Sequence, residues 1–211
     1  MKPKSSRLLL ASLVVAVALG AVGAGSASAS PVWKFNGTEL SGKETVVGAA
    51  TSSKMTLLGI TVECQHFLYN AKIFNKSGKG EGEVTELPLY ECSSNAASCP
   101  LEKEVEAKNL PWPGKLTTIG EKEYLLIGEA KGKEVDVNVT FGGSSCAVAG
   151  VHAVKGTVGG VINNSSQTAT FDAETIKNTG TGLKVGSSTV EWEGVFTMEA
   201  FESHRLSAIE A

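Results

Sequence analysis

Arginine and aspartate are nearly absent from this chain. Of its 211 residues only Arg7 and Arg205 are arginine, and only Asp136 and Asp172 are aspartate. Scarce arginine leaves little means of clamping phosphate or carboxylate with a bidentate fork. Two isolated aspartates cannot supply the closely spaced oxygen ligands of a calcium loop. Histidine is equally thin, and His66, His152 and His204 fall in neither H-E-x-x-H nor H-x-H. Each therefore reads as a surface or half-buried imidazole, and no metal centre is expected. The G-x-S-x-G elbow of hydrolases is missing too. Gly142-Gly143-Ser144-Ser145 shares only its composition. Nothing in these patterns names a reaction or a cofactor, so the chain reads as non-enzymatic with no cofactor.

The N-terminus is informative. Lys2, Lys4 and Arg7 precede an uncharged apolar run from Leu8 to Leu19, and a Gly/Ala/Ser stretch then ends in Ala27-Ser28-Ala29. This is the pattern of a secretory signal peptide, residues 1–29, cut after Ala29. The rival is an uncleaved anchor, because residues 8–33 carry no charge and could span a bilayer. Gly20, Gly23, Gly25, Ser26 and Ser28 weaken that second half. No further apolar run follows, so no integral membrane segment is expected after cleavage. Losing three of the 19 basic residues and none of the 22 acidic ones leaves a formal charge of −6. An acidic chain lacks the basic face that nucleic acid requires. Residues 30–211 suit one domain, able to bury about 70% of its unfolded surface.

Export places Cys64, Cys92, Cys99 and Cys146 in an oxidising compartment, where disulfides are expected. Zinc is the rival, but C-x-x-C spacing is absent. Three pairings are possible. The small polar segment Ser93–Ser98 favours Cys92–Cys99, which leaves Cys64–Cys146 as the longer staple. Loop-closure entropy assigns them about 2.5 and about 4.6 kcal/mol.

Period-two alternation recurs along the chain, and convincing helical periodicity does not. Val135, Val137, Val139 and Phe141 alternate with Glu134, Asp136, Asn138 and Thr140, as in a strand wet on one face. Val190, Trp192, Phe196, Met198 and Ala200 alternate with Glu191, Glu193, Thr197 and Glu199, with Gly194 as a candidate bulge or bend. Leu58, Ile60, Val62 and Cys64 share one face of a strand from about Met55, and Tyr69, Ala71 and Ile73 continue on a following one. Turns are expected at Lys76–Gly80, Phe141–Ser145, Asn163–Ser166 and Asn178–Gly182, with a tight hairpin at Lys131-Gly132-Lys133. Roughly ten to thirteen strands without intervening helices predict an all-β fold, an antiparallel sandwich or barrel.

Candidate functional residues are few. Glu81, Glu83, Glu86 and Glu91 form one acidic grouping and Glu191, Glu193 and Glu199 another. Paired carboxylates could hydrolyse glycosidic bonds, but alternation alone explains these as the wet face of a sheet. Trp112 sits between Pro111 and Pro113 and is the one candidate ligand contact. Exposed, it could stack on sugar; buried, it would cover one end of the core. Sequons begin at Asn36, Asn75, Asn138, Asn163 and Asn164.

One resemblance covers residues 55–162. Its landmarks are Cys64, Leu87-Pro88-Leu89-Tyr90-Glu91-Cys92 with Cys99 behind, Asn109-Leu110-Pro111-Trp112, and Val135–Phe141 ahead of Cys146. This order resembles a group of uncharacterised secreted proteins from soil actinobacteria. The resemblance implies secretion, disulfides and an all-β fold, and implies no residue roles. Three functional readings follow. The first is a secreted or cell-envelope β domain with a structural or surface-binding role and an extracellular partner. The second is a barrel-type carrier of a small apolar ligand. The third is a carbohydrate-binding or glycoside-directed protein. An interior cavity of several hundred cubic ångströms would favour the carrier; a filled core would favour the scaffold.

Overall fold

A computed structural model describes residues 30–200 except Asn36 and Thr51, with the backbone alone at Glu199 and Ala200. The expected signal peptide, together with His204 and Arg205, lies outside the described residues.

Alternating residues become long paired strands. β1 (Lys34–Phe35) and β2 (Thr38–Glu39) form a small hairpin. β3 (Lys43–Ala50) and β4 (Ser53–Leu57) share one register against β5 (Ile60–Lys76), with Ala50 opposite Phe67 and Ser53 opposite Cys64. The two therefore lie along one line beside β5. Leu58 and Gly59 reverse the chain with φ of 52° and 80°, the positive pair of a type I′ hairpin. The strand expected to run through Leu58 is therefore two strands, and the separate strand expected at Tyr69 is the rest of β5. The turn shifts the phase by one, since Ser53, Met55 and Leu57 are buried before it and Ile60, Val62 and Cys64 after it; apolar Leu58 falls in phase with the second set and hides the change.

Ser77-Gly78 turns β5 into β6 (Lys79–Glu86), as expected, and β7 (Leu89–Ser94) continues along β5 beyond Leu87-Pro88. β8 (Glu106–Ala107), β9 (Trp112–Ile119), β10 (Lys122–Ile127), β11 (Val135–Phe141), β12 (Gly150–Asn163) and β13 (Thr168–Phe171) follow. One helix, α1 (Ala173–Thr179), was not legible from periodicity. Asp172 caps it by accepting from the Thr175 N–H, and Gly180 ends it with φ of 65°. β14 (Gly182–Val185), β15 (Ser188–Thr197) and β16 (Glu199–Ala200) are the last elements among the described residues.

Eight of these pair in sequence order around a ring: β4, β5, β6, β9, β10, β12, β13 and β15, each antiparallel to the next. β15 returns to β4, and β16 to β3, so the ring closes. The expected sandwich or barrel is thus an up-and-down barrel at this end. Away from it the sheet stays open, in the order β7, β5, β4, β15, β14, β12, β11, β8. There Val137, Val139, Phe141, Val154, Leu183 and Val190 fill the interior, each at most 1% exposed.

Several expectations are corrected. Lys131-Gly132-Lys133 does not join neighbouring strands. β10 and β11 lie end to end along the same side of β12, and the turn is an excursion between them. Gly194 is not a bulge. It pairs in register with Ser53 and Phe171, and a Cβ there would meet the Phe196 ring at 2.8 Å. The polar face of β11 is not wet either, since Asp136 and Thr140 are buried. The chain before Trp112 covers it. Asn109 donates to Asp136 Oδ2 at 2.6 Å, and Lys155 approaches the same oxygen at 3.0 Å.

The favoured disulfide pairing is overturned. Cys64 bonds Cys92, and Cys99 bonds Cys146. β7 registers on β5 with Cys92 directly opposite Cys64, so strand pairing rather than loop length decides the partner. Cys99 is left to fasten the loop beyond β7 to the β11–β12 loop. Their sequence separations of 28 and 47 give about 3.6 and about 4.1 kcal/mol by loop-closure entropy.

Two outcomes are expected. A non-reducing digest should yield crosslinked peptides joining Cys64 to Cys92 and Cys99 to Cys146, with no Cys92–Cys99 link. Gly48 lies under the Tyr69 ring, where a Cβ would sit 2.1 Å from Cε1 and 2.0 Å from the Thr197 carbonyl oxygen. Gly48→Val should cost about 2–3 kcal/mol in urea unfolding, and an unchanged midpoint would contradict this packing.

Candidate functional site

The closed end of the barrel is hollow. A cavity of about 820 Å³ enters it, a volume within the range of small-molecule sites. Exposed Ser165 and Ser166, in the β12–β13 turn, line it, so it reaches solvent at that end. Eight strands give a barrel just wide enough either to pack solid or to hold one small ligand. Here small residues face inward beside large ones, and the balance leaves space.

The floor is aromatic. Phe67 and Phe196 meet edge to face at 4.6 Å, and Phe171 meets Phe196 at 5.3 Å and stacks on Trp192 at 5.9 Å. Gly160 permits this layer, because a Cβ there would fall 2.7 Å from the Phe171 ring. Above the floor the walls are half-buried Tyr69, Ile73, Leu125, Ile127 and Ile162. Over the mouth lies the segment 32–35, tied down by Asn75. The Asn75 side chain accepts from the Trp33 N–H at 2.8 Å and donates to the Trp33 and Leu40 carbonyls at 2.9 and 3.1 Å.

All three tryptophans of the chain, Trp33, Trp112 and Trp192, line this cavity. Their indole N–H groups donate to Glu81 O, Lys108 O and Ser53 Oγ at 2.8, 2.8 and 2.6 Å. With the polar handle satisfied, each offers hydrocarbon to whatever enters. Trp112, at 1% exposure, is not a surface stacking residue but part of the wall. A short relay sets it in place: the Lys108 N–H donates to the Asp136 carbonyl at 2.7 Å, and the Lys108 carbonyl receives the indole.

The remaining candidates are scattered. His66 lies 3.7 Å from Glu91, both exposed, and His152 Nε2 is 2.7 Å from the Val148 carbonyl. Glu83 pairs with Lys43, while Glu86 accepts from Asn70. Glu191 and Glu193 stand exposed on β15, opposite Thr56 and Lys54. Glu134 is held below the usual carboxylate range by its own backbone N–H and that of Gly132, and it does not line the cavity. Among the described residues no three His, Cys, Asp or Glu gather as metal ligands. A comparison with protein families, curated proteins and solved structures finds no match. The cavity-lining residues missed by sequence reading, such as Tyr69, Leu125 and Ile162, carry no signal that separates hollow from packed core.

Asp136→Ala keeps the backbone carbonyl that holds Lys108 but removes the carboxylate that anchors Asn109 and Lys155, and should cost about 2 kcal/mol in urea unfolding. An unchanged unfolding midpoint would show that this carboxylate does not hold the covering segment in place.

Proposed function

We propose that this protein binds a small apolar or amphiphilic molecule inside its barrel, as a carrier or sequestering protein without catalytic activity. The carrying observation is the cavity itself: about 820 Å³, aromatic at its floor, aliphatic along its walls and reached from one end. Burying apolar ligand surface there yields roughly 25 cal/mol per Å², with walls already held by a closed sheet. The purely structural role draws support from the filled lower half alone. The carbohydrate reading loses its stacking residue, since Trp112 is buried.

Secretion by way of a signal peptide cut after Ala29 belongs to the same proposal. Two disulfides in an all-β domain are consistent with an extracellular location. Among the described residues no helix is long and apolar enough to cross a membrane.

Titration with the neutral fluorophore N-phenyl-naphthylamine should show one saturable site, with quenching of tryptophan emission. Leu125→Trp, which adds bulk to the wall, should abolish that binding while leaving the melting temperature nearly unchanged. Absence of saturable binding to the native protein, or undiminished binding to the folded variant, would refute the carrier.

A further inference from the structure

Four charged residues belong to the cavity walls: Lys34, Lys72, Glu83 and Glu123. Glu83 stands opposite Lys72 on the outer face of the barrel, where it takes the Lys43 ammonium at 3.4 Å. Glu123 shares the inward face of β10 with Leu125 and Ile127, and its carboxylate accepts from the neutral Asn164 amide at 3.2 Å. Neither lysine has an ion pair among the described residues. Glu39 stands opposite Lys34 in the β1–β2 hairpin, yet no salt bridge joins them.

Lys34 is the more telling of the two. It is half-buried, whereas Lys72 is exposed on the outer face of β5, between the cavity-facing Ala71 and Ile73. It lies on the mouth-crossing segment between Trp33 and Phe35, both of which also line the cavity. That segment is held firmly, by Asn75 and by the Gly80 N–H donating to the Pro31 carbonyl at 2.8 Å. A cation partly withdrawn from water gains most from an anion that shares its low-dielectric surroundings.

We propose that the ligand is an anionic amphiphile, its apolar chain in the barrel and its acidic head group at the mouth on the Lys34 ammonium. This rests on the carrier reading and specifies its ligand class. A charge-assisted hydrogen bond of this kind is worth on the order of tenfold or more in affinity.

The test compares three probes of equal chain length, dodecanoate, dodecanol and dodecyltrimethylammonium, by tryptophan quenching and calorimetry above neutral pH. Dodecanoate should bind about tenfold tighter than dodecanol, with the cationic probe weakest. Added salt should narrow the gap. In Lys34→Gln dodecanoate should fall to the level of dodecanol, whose own affinity stays unchanged, while Lys72→Gln, on the outer face, should leave the preference intact. Equal binding of dodecanoate and dodecanol to the native protein, or equal weakening of all three probes in Lys34→Gln, overturns the anionic head group and leaves the apolar site standing. If none of the three binds, the carrier reading itself fails.

Discussion

Everything in this protein depends on the return of its last strands to its first. β15 and β16 pair with β4 and β3 across more than a hundred residues of chain, and this closes the ring. Without that pairing the sheet would expose two long edges, an invitation to association. With it, the upper half becomes a barrel whose walls are fixed by backbone hydrogen bonds rather than by a packed interior. A hollow can persist only where something other than packing holds the walls apart.

The two halves divide the work. Below, the sheet is open, and its stability comes from β-branched and aromatic side chains packed without exposure and from both disulfides. Cys64–Cys92 ties β5 to β7, and Cys99–Cys146 fastens the loop that crosses the open side. Above, no disulfide is present among the described residues, and the aromatic layer of Phe67, Phe171, Trp192 and Phe196 separates filled core from cavity. A rigid base and a hollow top are what a binding barrel requires, since the site needs preorganised walls and an entrance. The pattern of small beside large residues is part of this. Gly48 beneath Tyr69 and Gly160 beneath Phe171 let rings lie flat against the wall instead of crossing the lumen.

Much of the fold was legible in the chain. Alternation at Val135–Phe141 and Thr189–Phe196 marked strands, and the turns at Lys76–Gly80 and Asn163–Ser166 stand where they were expected. The helix escaped because seven residues are too few for a 3.6-residue stripe, although its Asp172 cap and terminal Gly180 were visible as isolated signals. The turn at Leu58-Gly59 escaped because apolar Leu58 falls in phase with Ile60, Val62 and Cys64, so the alternation of β5 looks continuous through it. The cavity left no trace at all. Leu125 and Ile127 look like core residues in sequence, and whether such residues touch one another or stand apart depends on barrel diameter.

Local patterning alone was enough for the class: a charge-poor, all-β chain with an even set of cysteines. Composition and period-two patterning suffice for that, because they reflect local backbone preference and burial on one face. Which cysteines meet, that Trp112 faces inward and that the barrel is hollow emerge only once the strands are assembled. Each of these is set by register and closure between strands distant in sequence, and such distances are not written in any local pattern.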